Sequence, residues 1–126
     1  MRRTAPKIGL RYYAKPAVAG TSKRSKIFDP TKPEWFYWTE LDFQMRVRHY
    51  AKERGWLTYH VKNSLRTVDG DPGFPDWVFA RAGMKIHVEL KREGGKLSPA
   101  QRQWAAALES WTWFPRHWDV VQQVFE

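Results

Sequence analysis

At 126 residues the chain fits a single domain with one modest hydrophobic core. Its 22 Lys and Arg against 13 Asp and Glu give a formal net charge of +9, so a polyanion is the natural partner. With no cysteine, disulfides and thiolate zinc sites are excluded. The apolar runs are only a few residues long and fit neither a transmembrane helix nor a signal peptide, which makes a cytoplasmic, membrane-free protein the expectation.

The charge is concentrated at the start: residues 1–34 hold nine Lys or Arg and two acids, a net of +7. Residues 1–33 mix Lys, Arg, Pro, Gly, Ser and Thr with few apolar side chains, too few to offset the entropy of ordering them. They read as a flexible basic arm. Such an arm either gains affinity for phosphates by counterion release or simply solubilises the chain. Residues 34–126 form the expected domain.

Helical periodicity begins after Thr39, a suitable N-cap, with Leu41, Phe43, Met45, Val47, Tyr50 and Ala51 in apolar rows at three- and four-residue spacing. Gly55 closes this helix. Residues 57–62 read as a strand and residues 63–75, with two Gly, two Pro and two Asp, as a loop. Residues 76–81 and 84–91 are β-type runs joined by a turn at Ala82-Gly83. After the loop Glu93-Gly94-Gly95-Lys96, the run Ser98-Pro99-Ala100-Gln101 opens a second helix: Ser caps, Pro takes the first helical position, and Gln stands where a capping box needs it. A strand over residues 111–114 and a helix over 116–124 complete the order α-β-β-β-α-β-α. The expected class is α/β, a small mixed β-sheet flanked by helices.

A hairpin turning on Ala82-Gly83 places Asp76 directly opposite Glu89, because pairing proceeds outward from 81 with 84. Opposed residues share a face with Cβ atoms roughly 5 Å apart, so two carboxylates converge. A structural sheet avoids that repulsion; a divalent cation relieves it. Lys91, two residues past Glu89, projects from the same face. The other face carries Trp77, Phe79, Ile86, Val88 and Leu90, a set fit for the core. Oxygen ligands alone select a hard cation such as Mg²⁺ or Mn²⁺, which suits phosphoryl chemistry, with a neighbouring Lys to orient water and offset charge. The competing reading is a turn aspartate and a surface Glu-x-Lys on an edge strand. Lys62, Ser64 and Arg66 offer donors suited to phosphate, or form a plain solvated loop. Trp111, Trp113 and Trp118 cluster as core or as an interface.

The runs Gly73-Phe74-Pro75-Asp76-Trp77, Val88-Glu89-Leu90-Lys91 and Gly95-Lys96-Leu97-Ser98-Pro99-Ala100-Gln101 resemble a VRR-NUC domain of the PD-(D/E)XK nuclease superfamily. The resemblance implies a restriction-endonuclease-like fold from about Thr39 onward. It implies that Asp76, Glu89 and the backbone carbonyl of Leu90 ligate the metal and that Lys91 serves the attacking water. Glu40 matches the acidic residue of the family's first helix and reaches the metal directly or through water; the helix dipole alone also favours an acid there. Gln101 matches the motif's glutamine at the site edge, or is an ordinary capping residue. The Val-Arg-Arg signature itself is absent. The corresponding region reads Trp113-Phe114-Pro115-Arg116-His117-Trp118, with Arg116 as the stand-in.

These readings make the chain a Mg²⁺- or Mn²⁺-dependent DNA endonuclease with Asp76, Glu89, Lys91, Glu40 and Gln101 at its centre. Lys62, Ser64, Arg66, Lys96 and Arg116 are its expected DNA contacts. By the resemblance, the active form is a homodimer acting on four-way (Holliday) junctions or other branched DNA, with a 5′-phosphate product. A short basic nuclease of this kind suits a phage or mobile element. The alternative is a module of the same fold that binds branched or broken DNA without cutting it.

Overall fold

The computed structural model describes residues 27–61 and 70–126. The expected arm up to residue 26, and the candidate contacts Lys62, Ser64 and Arg66, lie outside the described residues. The domain is mixed α/β. Helix α1 (Glu40–Glu53) precedes strands β1 (Leu57–His60), β2 (Trp77–Arg81) and β3 (Met84–Leu90). Helix α2 (Pro99–Leu108), strand β4 (Trp111–Trp113) and helix α3 (Trp118–Phe125) follow. The strands form one sheet in the order β1-β2-β3-β4, with β4 parallel to β3 and the other pairs antiparallel.

Local chemistry sets the helix starts. The Thr39 hydroxyl accepts from the Asp42 N–H at 3.0 Å, and the Asp42 carboxylate accepts from the Thr39 N–H at 2.9 Å, a reciprocal capping box. Ser98 and Gln101 repeat the arrangement at α2, with Pro99 in the first turn. Ala82 (φ 51°) and Gly83 (φ 84°) both take left-handed geometry, so a two-residue turn joins β2 to β3. The register that follows pairs Trp77 with Val88 and Phe79 with Ile86.

One face of the sheet packs against α1 and α3. Trp77, Phe79, Val88, Leu90 and Trp113 meet Phe43, Val47, Tyr50, Val121 and Phe125 in the core. In α1 the buried stripe runs through Phe43, Val47, Tyr50 and Ala51, whereas Leu41 is 59% exposed. Residues two positions apart on a helix do not share a face, so the Leu41 row turns outward once Phe43 turns in.

The C-terminal segment differs from expectation in one respect. Instead of one helix from residue 116, a 3₁₀ turn (Pro115–His117) precedes α3. Pro115 has no N–H, the Phe114 N–H donates to His117 Nδ1 at 3.1 Å, and the Arg116 N–H donates to Glu93 at 2.8 Å. Side chains thus take the donors of this first turn. Of the two readings of the C-terminal tryptophans, core or interface, the core holds for Trp113 and Trp118. Trp113 is buried, and Trp118 lies edge-on to Trp38 and Tyr50, leaving Trp111 as the exposed one. Among the described residues no helix is long and apolar enough to cross a membrane.

Candidate metal centre

The β2–β3 ladder ends where Trp77 pairs with Val88, so Asp76 and Glu89 are the next cross-strand pair. Trp77 and Val88 turn into the core. Alternation therefore sends the two carboxylates to the other face, converging at the end of the hairpin. The Asp76 carbonyl accepts from the Val61 N–H at 2.6 Å, which ties this end of β2 to β1. On the far side of Glu89, β4 places Thr112 opposite it.

Glu89 is 3% exposed. Burial, then the charge and hydrogen bonding of Asp76, push its carboxyl up to about 8, against a weaker opposing pull from the Lys91 ammonium. Glu89 Oε2 accepts from Gln101 Nε2 at 3.1 Å, whereas Oε1 is buried with no hydrogen-bond donor. A buried carboxylate oxygen with no donor, facing a second carboxylate, fits a hard divalent cation.

Glu40 occupies the first position of α1. Its carboxyl is raised by burial, lowered by Lys91 and raised by Asp76, so it shares the field of the pair. Among the described residues no three His, Asp or Glu side chains are grouped closely enough to hold a metal ion by themselves. Leu90 is fully buried in the core and pairs with Trp113 of β4. The Lys91 N–H donates to the Trp113 carbonyl at 3.0 Å, anchoring the residue that carries the nearby ammonium.

Gln101 reconciles its two sequence readings, since both ends of its amide are used. Oε1 accepts from the Ser98 N–H at 2.8 Å to complete the cap, and Nε2 donates to Glu89. The cap of α2 thereby orients a carboxylate of the pair. Gln101→Ala is expected to cost about 1 kcal/mol of stability. Gln101→Glu keeps the cap acceptor but brings a further carboxylate onto Glu89, so its deficit should be larger at pH 8 than at pH 5. Thermal melts at both pH values check this; equal deficits would show that the amide does not bond Glu89.

Other expected contacts are differently placed. Lys96 is exposed in the loop between β3 and α2. Arg116 donates to Glu93 at 2.8 Å through Nη1 and lies over the Phe114 ring, so its charge is already paired. His60 stacks on Trp77, 4.5 Å between centroids, away from the carboxylates.

The structural roles of two residues escaped the sequence reading. Glu93 ties the loop after Lys91 to the turn before α3. Gly73, at φ +97°, lies so close to α2 that a Cβ there would meet the Ala100 carbonyl carbon at 2.5 Å. A Gly two residues before Pro75-Asp76 hinted at the second; nothing in the spacing pointed to the first. No known protein family, curated protein or solved structure matches the chain.

Proposed function

We propose that the protein is a divalent-metal-dependent DNA endonuclease of the VRR-NUC type, with a restriction-endonuclease-like arrangement of its α/β domain. The observation that carries this reading is the convergence of Asp76 on the buried Glu89, one of whose carboxylate oxygens lacks a donor, with the Lys91 ammonium nearby. A protein that only binds DNA gains nothing from opposed carboxylates facing phosphate.

Asp76, Glu89 and the Leu90 carbonyl would hold Mg²⁺ or Mn²⁺, with Glu40 reached directly or through water. When bound, the cation supplies water activation and polarisation of a phosphate oxygen. Gln101 fixes one Glu89 oxygen, leaving the other for the cation. Lys91 orients the attacking water and offsets charge as it adds to phosphorus. The bond from phosphorus to O3′ breaks, leaving 5′-phosphate and 3′-hydroxyl ends. The net charge of +9 draws the polyanion in. A homodimer presenting two centres suits paired nicks in a four-way junction, since a two-fold axis places identical centres symmetrically.

Incubation with labelled single-stranded, duplex, flap and four-way DNA, in Mg²⁺, Mn²⁺ or EDTA, tests the proposal. Metal-dependent cutting, strongest on branched DNA, is expected. Binding without cutting in either metal would identify a non-cleaving module instead. Lys91→Ala should slow single-turnover cleavage at saturating protein by about 10²-fold or more. Full recovery of the rate at saturation would reduce Lys91 to a binding residue.

A further inference from the structure

The sheet face that carries the carboxylates continues past them toward the edge strand β1. Cross-strand pairing sets Tyr59 beside Val78 and Leu57 beside Ala80. On β3 the corresponding partners are His87 and Lys85. Tyr59 is 66% exposed and Leu57 is 75% exposed, although both point to the same face as Asp76. Tyr59 is thus the diagonal neighbour of Asp76, a relation that brings Cβ atoms within about 7–8 Å and lies within reach of an aromatic ring.

We propose that Tyr59, with Leu57 beyond it, is a stacking platform for an unpaired base next to the phosphate that a cation at Asp76 and Glu89 would hold. The inference rests on the nuclease reading of that site and adds a preference for locally unpaired DNA. Three features favour a nucleobase as the occupant. The platform adjoins the carboxylates by one diagonal step. Its own six residues, Leu57, Tyr59, Val78, Ala80, Lys85 and His87, include no acid, while Lys85 can meet a phosphate. A phenol ring offers a flat face to any base and a polar edge to water, so it recognises an unstacked base without reading its identity. Duplex DNA keeps its bases stacked on one another and cannot use the ring. A strand opened at a junction or flap can.

The test uses single-stranded and flap oligonucleotides carrying one 2-aminopurine at successive positions, bound to the full chain in Ca²⁺. Stacking should quench fluorescence at one or two positions with the wild type and with Tyr59→Phe, and Tyr59→Ala should relieve that quenching several-fold. Cleavage of the same oligonucleotides in Mg²⁺ or Mn²⁺ is read separately. Position-specific quenching without cleavage would defeat the nuclease reading while leaving the platform standing. Absence of quenching with the wild type, or equal quenching with Tyr59→Ala, overturns the platform. It is also overturned if Tyr59→Ala leaves quenching intact and changes only the oligomeric state, since the strip would then be a contact between copies of the chain.

Discussion

Glu89→Gln is expected to abolish cleavage and, in the absence of metal, to make the protein more stable at alkaline pH. The folded-state carboxyl is raised to about 8 from an ordinary 4.5, chiefly by burial and by Asp76. A raised acid binds its proton more tightly in the folded than in the unfolded state, so stability falls as pH rises between the two values. The contribution is fully present below about 4.5 and is lost as pH passes through about 8. Glutamine keeps the shape and the neutral charge at every pH. The variant and wild type should therefore melt alike at pH 5, and the variant should gain about 1–2 kcal/mol at pH 8.5. For a domain of this size that is a shift on the order of 5–10 °C. Mg²⁺ or Mn²⁺ should raise the wild-type melt at pH 8.5 and leave the variant unmoved. Cleavage should drop by about 10³-fold or more, as loss of a cation ligand removes several kcal/mol of transition-state stabilisation. A variant less stable than wild type at pH 8.5 would mean that Glu89 is not held beside a like charge.

Gly73→Ala should be the most damaging single methyl group in the site's surroundings. A Cβ would stand 2.5 Å from the Ala100 carbonyl carbon and 2.8 Å from the Gln101 nitrogen, both backbone atoms that cannot rotate away. The φ of +97° adds strain for any L side chain. Together these should cost about 3 kcal/mol. The first turn of α2 must shift, and with it the Gln101 amide that holds Glu89. Phe74 would also lose its edge contact with Trp104, whose Nε1 donates to the Asp71 carbonyl at 3.2 Å. Gly83→Ala provides the control, because that residue also has positive φ (+84°) yet nothing within 4 Å of a new Cβ. It should cost only about 1 kcal/mol. Equal chemical-denaturation losses for the two variants would remove the close approach as the reason for glycine at 73.

The parts of this architecture that were legible in the sequence are those set by local rules. Ala82-Gly83 fixed the hairpin register and hence the opposition of Asp76 to Glu89. Thr39 and Ser98 announced their helices through side chains that reach backbone three residues on. Alternation separated Trp77, Phe79, Val88 and Leu90 from the carboxylate face. What escaped was decided across long sequence separations or by competition for space. Periodicity cannot choose between the Leu41 and Phe43 rows of α1, because the choice depends on the sheet that covers one of them. Glu93 meets Arg116 across 23 positions of chain, and neither carries a local signature. Composition leaves Trp113 and Trp118 open to core or interface, and the packing of the sheet against the last helix decides for the core. Gln101 serves cap and site together, because its amide has two ends.

The central claim is that the two opposed carboxylates hold a divalent cation. Calorimetric titration of Mn²⁺ into the metal-free protein at pH 8, in two buffers of different ionisation enthalpy, tests it most directly. One saturable site per chain is expected for the wild type, with proton release as the cation displaces the proton that the raised Glu89 carboxyl retains. Asp76→Ala, with its fold confirmed by circular dichroism, should bind none at that site. Undiminished binding by Asp76→Ala, or a wild-type protein that takes up no Mn²⁺, would contradict the account.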